Sequence, residues 1–169
     1  MLKICHPNTK VTIIASKATI TPTNVSSSTT SKPPALQHHI ISITTDKIIC
    51  GEQQPESDHF VKMERSNMGD DEGVHWRETA GWFSYQMKTN GKKVSKVRVL
   101  YGADARRDAY VYVNDQQIGS FPTSEGRGTM VAEFEVPASL AGLSQLTVKI
   151  AKGEKRVTPH IYEVRLIAE

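Results

Sequence analysis

Apolar and polar residues alternate with a period of two along most of the chain after residue 40. Ile41 and Ile43 alternate with Ser42 and Thr44 at the start of this region. The same alternation recurs at 83–87, 97–101, 130–136, 146–150 and 162–166. A period of two places the apolar side chains on one face of a strand. The continuous apolar run 109–113 predicts a strand that is covered on both faces.

Turn signals separate these runs, and no helix of ordinary length is predicted. Asn114 and Asp115 predict a hairpin turn between 109–113 and the returning strand 118–121. Residues 137–141 predict one short helical turn, and no longer window shows an apolar stripe of helical period. Seven or eight short strands joined by turns predict an all-β fold, an antiparallel β-sandwich of the galactose-binding-like or jelly-roll type.

The composition divides the chain near residue 45. All 11 Gly and every Phe, Trp and Tyr lie at or after Gly51, and eight of the eleven residues 21–31 are Ser or Thr. Such a segment has too little apolar surface to offset its ordering entropy. We therefore predict a disordered Ser/Thr-rich tail over 1–44, with an O-glycosylated or flexible tether as its alternative role, and a β-sandwich domain over 45–169.

Charge and cysteine content exclude several protein classes. Residues 1–50 carry five Lys and one Asp, a net +4, and residues 51–169 carry 16 basic and 17 acidic residues, a net −1. No basic stripe marks a nucleic-acid binder, and no run approaches the ~20 apolar residues of a membrane span. Residues 11–15 are too short for a signal peptide and lie between Lys10 and Lys17. Cys5 and Cys50 are predicted to be free thiols.

Three carboxylates cluster in the polar run 51–60. Glu52, Glu56 and Asp58 could supply the carboxylate pair that cleaves glycosidic bonds. The alternative, which we favour, is that these acids cap backbone donors or pair with Arg77 or Arg65. No nucleophile with an identifiable base and no phosphate-binding motif is present.

Metal binding is a weaker interpretation of the same region. Glu56, Asp58, His59 and His75 lack the spacing of a zinc site. The acidic run within 68–73 is a better calcium candidate, although consecutive carboxylates more often occupy a solvated turn. We predict no cofactor, with calcium as the alternative.

Sugar recognition needs aromatic faces beside polar side chains that fix hydroxyl groups. Trp76 lies in a polar run, where core packing and exposure are equally compatible with its position, whereas Trp82 opens a strand and favours packing. The predicted binding residues are Glu56, Asp58, His59, Trp76, Arg77, Trp82 and Tyr85.

About 120 residues, from 48 to 168, resemble the C-terminal β-sandwich region of the DUF1680 group, the glycoside hydrolase family 127-like proteins related to β-L-arabinofuranosidases. The matching stretches are GEQQPE (51–56), DHF (58–60), HWR (75–77), GWFSY (81–85), YGAD (101–104) and IYEVRL (161–166).

This resemblance implies that catalysis belongs to an upstream (α/α)-barrel domain, so the chain is expected to be a non-catalytic accessory domain. Its expected partners are that barrel or a carbohydrate, and relatives often act outside the cytoplasm or in the periplasm. The alternative is a protein-interaction or structural module that docks through the 53–60 and 75–82 loops. A small independent hydrolase that uses Glu52, Glu56 or Asp58 is the least favoured interpretation.

Overall fold

A computed structural model describes residues 43–122, 126 and 128–169, and antiparallel strands make up nearly all of its regular structure. The predicted all-β sandwich is confirmed. Most of the predicted tail, with Cys5, lies outside the described residues. The elements are β1 (Thr44–Ile49), α1 (Gln53–Asp58), β2 (Lys62–Asp71), β3 (Val74–Lys88), β4 (Val94–Gly102), β5 (Ala109–Val113), β6 (Gln116–Ser120), β7 (Thr129–Glu135), β8 (Gln145–Lys152) and β9 (Ile161–Ala168).

The strands follow the order β6-β5-β8-β3-β9-β4-β7, with β1 added to β9 and β2 added to β3. The long strand β3 joins the two halves of this path. Its residues 82–88 pair with β8, whereas Arg77 pairs with Ile161 of β9. The two halves face each other across the core: at Gly119 of β6, an added Cβ would lie 2.5 Å from the Phe134 ring of β7.

The core is built from the apolar side of the alternating strands. Each of these strands buries every second residue, and the buried positions include Phe83, Tyr85, Met87, Val97, Val99, Tyr101, Leu146, Val148, Ile150, Val164 and Leu166. Full burial of one large apolar side chain stabilises a fold by roughly 1.5–3 kcal/mol. The predicted alternation at 83–87, 97–101, 146–150 and 162–166 therefore corresponds to the observed core.

The prediction that strand 109–113 is covered on both faces is wrong. Tyr110 and Tyr112 are only half-buried, because the outer face of β5 borders solvent. The Lys149 ammonium lies 5.0 Å from the centre of the Tyr112 ring and covers part of that face. One face of this apolar run therefore lies in the core, and the other face presents aromatic rings that are partly exposed to water.

Two predicted loops are regular structure. The run 51–60 contains helix α1, and the run 75–82 lies inside β3, paired with β2 in a long hairpin. The hairpin turns at Glu72 and Gly73, whose φ angles of 53° and 84° suit a two-residue turn of mirror-image type. The acidic run 68–73 is therefore the end of a hairpin, and the Gly73 amide donates to Asp70 Oδ1 at 2.9 Å.

A bulge bends this hairpin toward β9. Arg65 has a φ of 49°, and the pairing register shifts between Glu64 and Ser66. Gly81 makes the close approach possible, because an added Cβ there would lie 2.6 Å from the Glu64 carbonyl oxygen. The bend brings the first half of β3 beside the start of β9.

Candidate functional site

Three of the predicted binding residues form a buried network below α1. Arg77 donates from Nε to Glu56 Oε1 at 2.6 Å and from Nη2 to Glu56 Oε2 at 2.5 Å. The Tyr85 hydroxyl donates to Glu56 Oε1 at 2.6 Å, and the Gly51 amide donates to the same oxygen at 2.9 Å. Only 2% of Glu56 and 3% of Arg77 is exposed. The pair is therefore a satisfied interior ion pair, the arrangement that the sequence favoured over catalysis.

The network shifts the pKa values of its members in opposite directions. Burial raises the pKa of Glu56, but hydrogen bonds from Arg77, the Gly51 amide and Tyr85 outweigh it and hold that pKa below its ordinary value. Burial opposes the charged form of Arg77, yet Glu56 raises the Arg77 pKa overall. Burial also raises the pKa of Tyr85, and raises that of the adjacent Cys50 thiol to about 12. Cys50 is therefore a buried free thiol with low nucleophilic reactivity.

Asp58 and His59 lie at the end of α1. Asp58 is exposed and accepts from Gln54 Nε2 at 2.7 Å, within the helix. The His59 ring is half-buried, with Nδ1 2.6 Å from the Pro55 carbonyl oxygen and Nε2 3.0 Å from Asp46 Oδ1. Its contacts therefore join α1 to β1.

Trp82 is half-buried on the outer side of β3. Its indole Nε1 donates to Glu64 Oε2 at 3.0 Å across the β2–β3 pair. The core packing favoured for Trp82 from its sequence position is thus only partial. Neither Trp82 nor Asp58 lines the cleft described below.

Trp76 belongs to a different cluster, on the opposite face of the hairpin from Arg77. It pairs across the strands with Gly69, and an added Cβ at Gly69 would lie 2.3 Å from the indole Cζ2 atom. The indole stacks on the imidazole of His160, with ring centres 3.9 Å apart and an interplanar angle of 7°. The Trp76 Nε1 atom is buried and has no hydrogen-bond partner among the described residues.

Carboxylates surround the stacked imidazole. His160 Nδ1 lies 3.4 Å from Asp71 Oδ2, and His160 Nε2 lies 3.4 Å from Glu78 Oε2. Glu78 also accepts a short hydrogen bond from Arg107, whose Nη1 donates to the Thr158 carbonyl oxygen at 3.0 Å. These contacts tie the connector between β4 and β5 to β3 and to the segment before β9.

The backbone next to His160 is fixed to β3. The amide of Thr158 donates to the Thr79 carbonyl at 3.0 Å, and the Thr79 amide donates to Thr158 Oγ1 at 3.0 Å. The Gly102 amide donates to the His160 carbonyl at 2.8 Å, which adds the end of β4. The imidazole is thus held from two sides by paired backbone, a rigid support for a binding site.

A cleft of about 220 Å³ opens beside this cluster. Its walls combine His160 and the Tyr162 ring with the charged pair Asp104 and Arg107. The complete lining is Gly102, Ala103, Asp104, Arg107, Gly128, Thr129, His160 and Tyr162. We call it the His160 cleft. It lies at the end of the sandwich where β4 ends and β9 begins.

The charges in the His160 cleft are arranged in pairs. Asp104 Oδ2 lies 3.3 Å from Arg107 Nε, and hydrogen bonds from Arg106 lower the Asp104 pKa to about 2. Burial, with the nearby Asp71 charge, raises the pKa of the Tyr162 hydroxyl. The cleft therefore offers ionised carboxylate acceptors, a guanidinium donor and a neutral phenol donor beside aromatic rings. Within the described residues, no three His, Cys, Asp or Glu side chains converge as metal ligands.

Sequence reasoning singled out only Trp76 from this cluster. His160 follows Pro159 in a segment without any motif, and Glu78 lies in a strand that was interpreted as a loop. Arg107 and Asp104 belong to the charged connector 104–108, which is typical of a solvated loop. The sequence stretch that could have indicated the cleft was YGAD (101–104), because it ends at the cleft.

A family model matches residues 39–167. The chain belongs to DUF6805, a family of unknown function. The resemblance to the DUF1680 group stays a prediction from the sequence. The matched range contains every described residue except Ala168 and Glu169. A search of curated proteins found no match.

Solved structures similar to this DUF6805 domain share its fold at low sequence identity. A family 35 carbohydrate binding module from an environmental isolate has a TM-score of 0.52 and 16% identity, covering 73% of this chain and 93% of that one. The family 35 module from Cellvibrio japonicus Abf62 has a TM-score of 0.50 and 11% identity, covering 72% and 93%. The ANX1 ectodomain from Arabidopsis thaliana has a TM-score of 0.53 and 14% identity, covering 72% and 40%.

No helix in the described ranges has the length and apolar character needed to cross a lipid bilayer.

Proposed function

We propose that this DUF6805 chain is a carbohydrate-binding accessory domain and that the His160 cleft is its binding site. The observation that carries the proposal is the Trp76–His160 stack beside a cleft with paired charges. Sugar recognition combines aromatic surface, which packs on C–H groups, with polar side chains that fix hydroxyl groups. Tyr162 and His160 supply the ring surface here, and Asp104 and Arg107 supply the acceptor and the donor.

The size of the cleft favours a small ligand. Its volume of about 220 Å³ is below the ~300–1,000 Å³ that is usual for drug-sized ligands. We therefore infer that it takes one sugar ring, such as the end of a glycan chain. A single ring offers few contacts, so we expect affinity in the range of about 0.1–1 mM.

Two of the similar structures support this proposal, because both are family 35 carbohydrate binding modules. The shared fold alone does not carry a function. The residues of the His160 cleft carry the proposal, and the two similar modules are a precedent for this fold in sugar binding.

We further propose that the domain accompanies a glycoside hydrolase related to β-L-arabinofuranosidases and has no catalytic activity itself. The support is the sequence resemblance at 51–60, 75–85, 101–104 and 161–166. An (α/α)-barrel would then be its covalent or noncovalent partner. Incubation of the purified chain with an aryl β-L-arabinofuranoside tests the catalytic part. No release of the aryl group is expected, and release above the buffer rate would contradict it.

Isothermal titration calorimetry on the full chain, with a panel of plant and microbial monosaccharides and oligosaccharides, tests the binding site. We expect at least one ligand to bind, and His160→Ala to weaken binding about tenfold or more, a loss of about 1.4 kcal/mol. Lys93→Ala is the matched control, because Lys93 pairs with Glu169 on the surface at the far end of β4. Absence of binding across the panel, or equal affinity in His160→Ala and the wild type, would overturn the proposal.

A further inference from the structure

The outer face of the sheet carries aromatic side chains on neighbouring strands. Trp82 of β3 pairs with Ala151 of β8, and Ala151 pairs with Tyr110 of β5. On each strand an adjacent residue is buried in the core, so these three residues lie on the opposite, outer side. Tyr112, two residues after Tyr110, lies on the same side. We call Trp82, Ala151, Tyr110 and Tyr112 the aromatic platform.

The spacing within the aromatic platform suits an extended ligand. Neighbouring strands lie about 4.8 Å apart, so the backbone positions of Trp82 and Tyr110 are separated by about 10 Å. The residue between them, Ala151, has a small side chain that leaves both rings accessible from above. All four platform residues keep part of their surface exposed to solvent. A ligand that crosses the strands can therefore contact both rings.

The rings at the two ends of the platform are already held in place. The Trp82 indole Nε1 donates to Glu64 Oε2 at 3.0 Å. The Lys149 ammonium lies 5.0 Å from the centre of the Tyr112 ring, and Lys149 Nζ donates to Asp115 Oδ1 at 2.6 Å. Side chains that are ordered before binding lose less conformational entropy when a ligand arrives. The platform is therefore organised as a binding surface in the free protein.

Charge indicates the class of ligand. The charged groups that contact the platform rings each have a partner of opposite charge: Lys149 pairs with Asp115, and Glu64 lies 3.8 Å from Arg65. A polyanion would meet the carboxylates of Glu64 and Asp115, and a basic peptide would meet the Lys149 ammonium. A surface of aromatic rings and paired charges complements an uncharged ligand that is rich in hydroxyl groups.

Neutral polar side chains lie farther along the same face. Gln86 of β3 pairs with Thr147 of β8, four residues along each strand from the Trp82–Ala151 pair. Both side chains are half-buried, and the Gln86 side-chain oxygen accepts from Gln145 Nε2 at 3.3 Å. Amide and hydroxyl groups beside aromatic rings are the combination that recognises sugars.

We propose that the aromatic platform is a second glycan-binding surface, which takes the flat side of an uncharged polysaccharide chain. Consecutive sugar rings would pack on Trp82 and Tyr110, and Lys149 would donate to hydroxyl groups between them. This inference goes beyond the proposed function, because the His160 cleft takes a single ring and none of the four platform residues lines that cleft.

The platform and the His160 cleft lie at the same end of the sandwich. Asp104 and Arg107 line the cleft, and the connector that contains them leads directly into β5 at Ala109. The Asp108 carboxylate accepts from the amides of Glu154 and Lys155, which ties this connector to the loop after β8. Two sites on one domain raise the affinity for a polymer above that for a single ring.

Depletion of the full chain from solution by insoluble polysaccharides tests the platform. The panel contains the uncharged polymers cellulose, xylan, mannan and linear arabinan, with polygalacturonate gel as the acidic comparison. We expect at least one uncharged polymer to bind the wild type, and Tyr110→Ala to weaken that binding about five- to tenfold, as for the loss of one stacked ring. Tyr110→Phe keeps the ring and should bind as the wild type does.

Controls separate the platform from the cleft and from loss of folding. Phe60→Ala removes an exposed ring outside the platform and should leave polymer binding unchanged. Circular dichroism checks that Tyr110→Ala is folded. Tyr110→Ala should keep the wild-type affinity for single sugars, whereas His160→Ala should lose it. Failure of the cleft therefore shows in the titrations with single sugars, and failure of the platform shows in the depletion assay.

Four results would overturn the proposal. The first is an absence of binding to every uncharged polymer, and the second is equal polymer binding by Tyr110→Ala and the wild type. The third is stronger binding to polygalacturonate than to the uncharged polymers, which would identify a polyanion site. The fourth is a wild-type dimer in analytical ultracentrifugation that Tyr110→Ala abolishes, because a second copy of the chain would then cover the platform.

Discussion

Glu56 and Arg77 share two hydrogen bonds in the interior, and the Tyr85 hydroxyl is a third partner. Removing one member of such a pair leaves the other charged and without its counterion in a region from which water is excluded. The energetic role of the pair is therefore seen most clearly in variants that remove one side only.

Arg77→Met should destabilise the fold by about 3–5 kcal/mol, because it leaves the Glu56 carboxylate buried and unpaired. Chemical denaturation monitored by circular dichroism measures the loss. Arg98→Met is the matched control: Arg98 pairs with Glu133 at 3.2 Å on a more exposed face, where a pair contributes about 0–1 kcal/mol. Equal losses in the two variants would contradict the role assigned to the buried pair.

The same pair predicts a stability change in acid. The pKa of Glu56 is lower in the folded protein than its ordinary value of 4.5. A group with a depressed folded pKa stabilises the fold fully above its unfolded pKa, and that contribution is lost as pH falls through the folded pKa. The advantage of the wild type over Glu56→Gln should therefore be constant near neutral pH and shrink below pH 4.5. A difference that stays the same down to about pH 2.5 would argue against this linkage.

The β2–β3 hairpin is the element that places Trp76 on His160. Its bulge at Arg65 and close approach at Gly81 bend the first half of β3 toward β9, and Gly69 leaves room for the indole. Without that bend, the Trp76 ring and the His160 ring would lie on separate parts of the sandwich.

Gly69→Ala should displace the indole from His160, since the new Cβ would lie 2.3 Å from Cζ2. We expect a shift in tryptophan fluorescence, weaker sugar binding, and a loss of about 1–3 kcal/mol in stability from overpacking. Gly142→Ala is the control, because an added Cβ there meets no atom within 4 Å. Unchanged fluorescence and affinity in Gly69→Ala would separate Trp76 from the site.

The hairpin was also the element that the sequence pattern missed. Strand β2 reads KMERSNMGDD and buries none of its residues fully, so it lacks the alternation that marked the core strands. Helix α1 has six residues, fewer than an apolar stripe needs to be visible. Both elements are stabilised by contacts with β3, which a local pattern does not contain.

At the scale of the whole molecule, sequence alone predicted the core better than the site. Alternation at 83–87, 97–101, 146–150 and 162–166 marked strands that meet in one core, because burial of one face imposes the period. The His160 cleft and the Trp76 ring stacked beside it bring together residues from three separated segments: Trp76, then Asp104 and Arg107, then His160. Such convergence depends on the path of β3 between the two halves, so only Trp76 was identified beforehand.

The most direct test of the central claim is a two-dimensional ¹H–¹⁵N NMR titration of the full chain with the sugar that binds best. We expect chemical-shift changes at the amides of Gly102, His160 and Tyr162 and at the Trp76 indole N–H, and no change at residues near Lys93. Shift changes confined to the exposed residues Phe60, Met63 and Met68, or an absence of shift changes with every sugar at about 10 mM, would contradict carbohydrate binding at the His160 cleft.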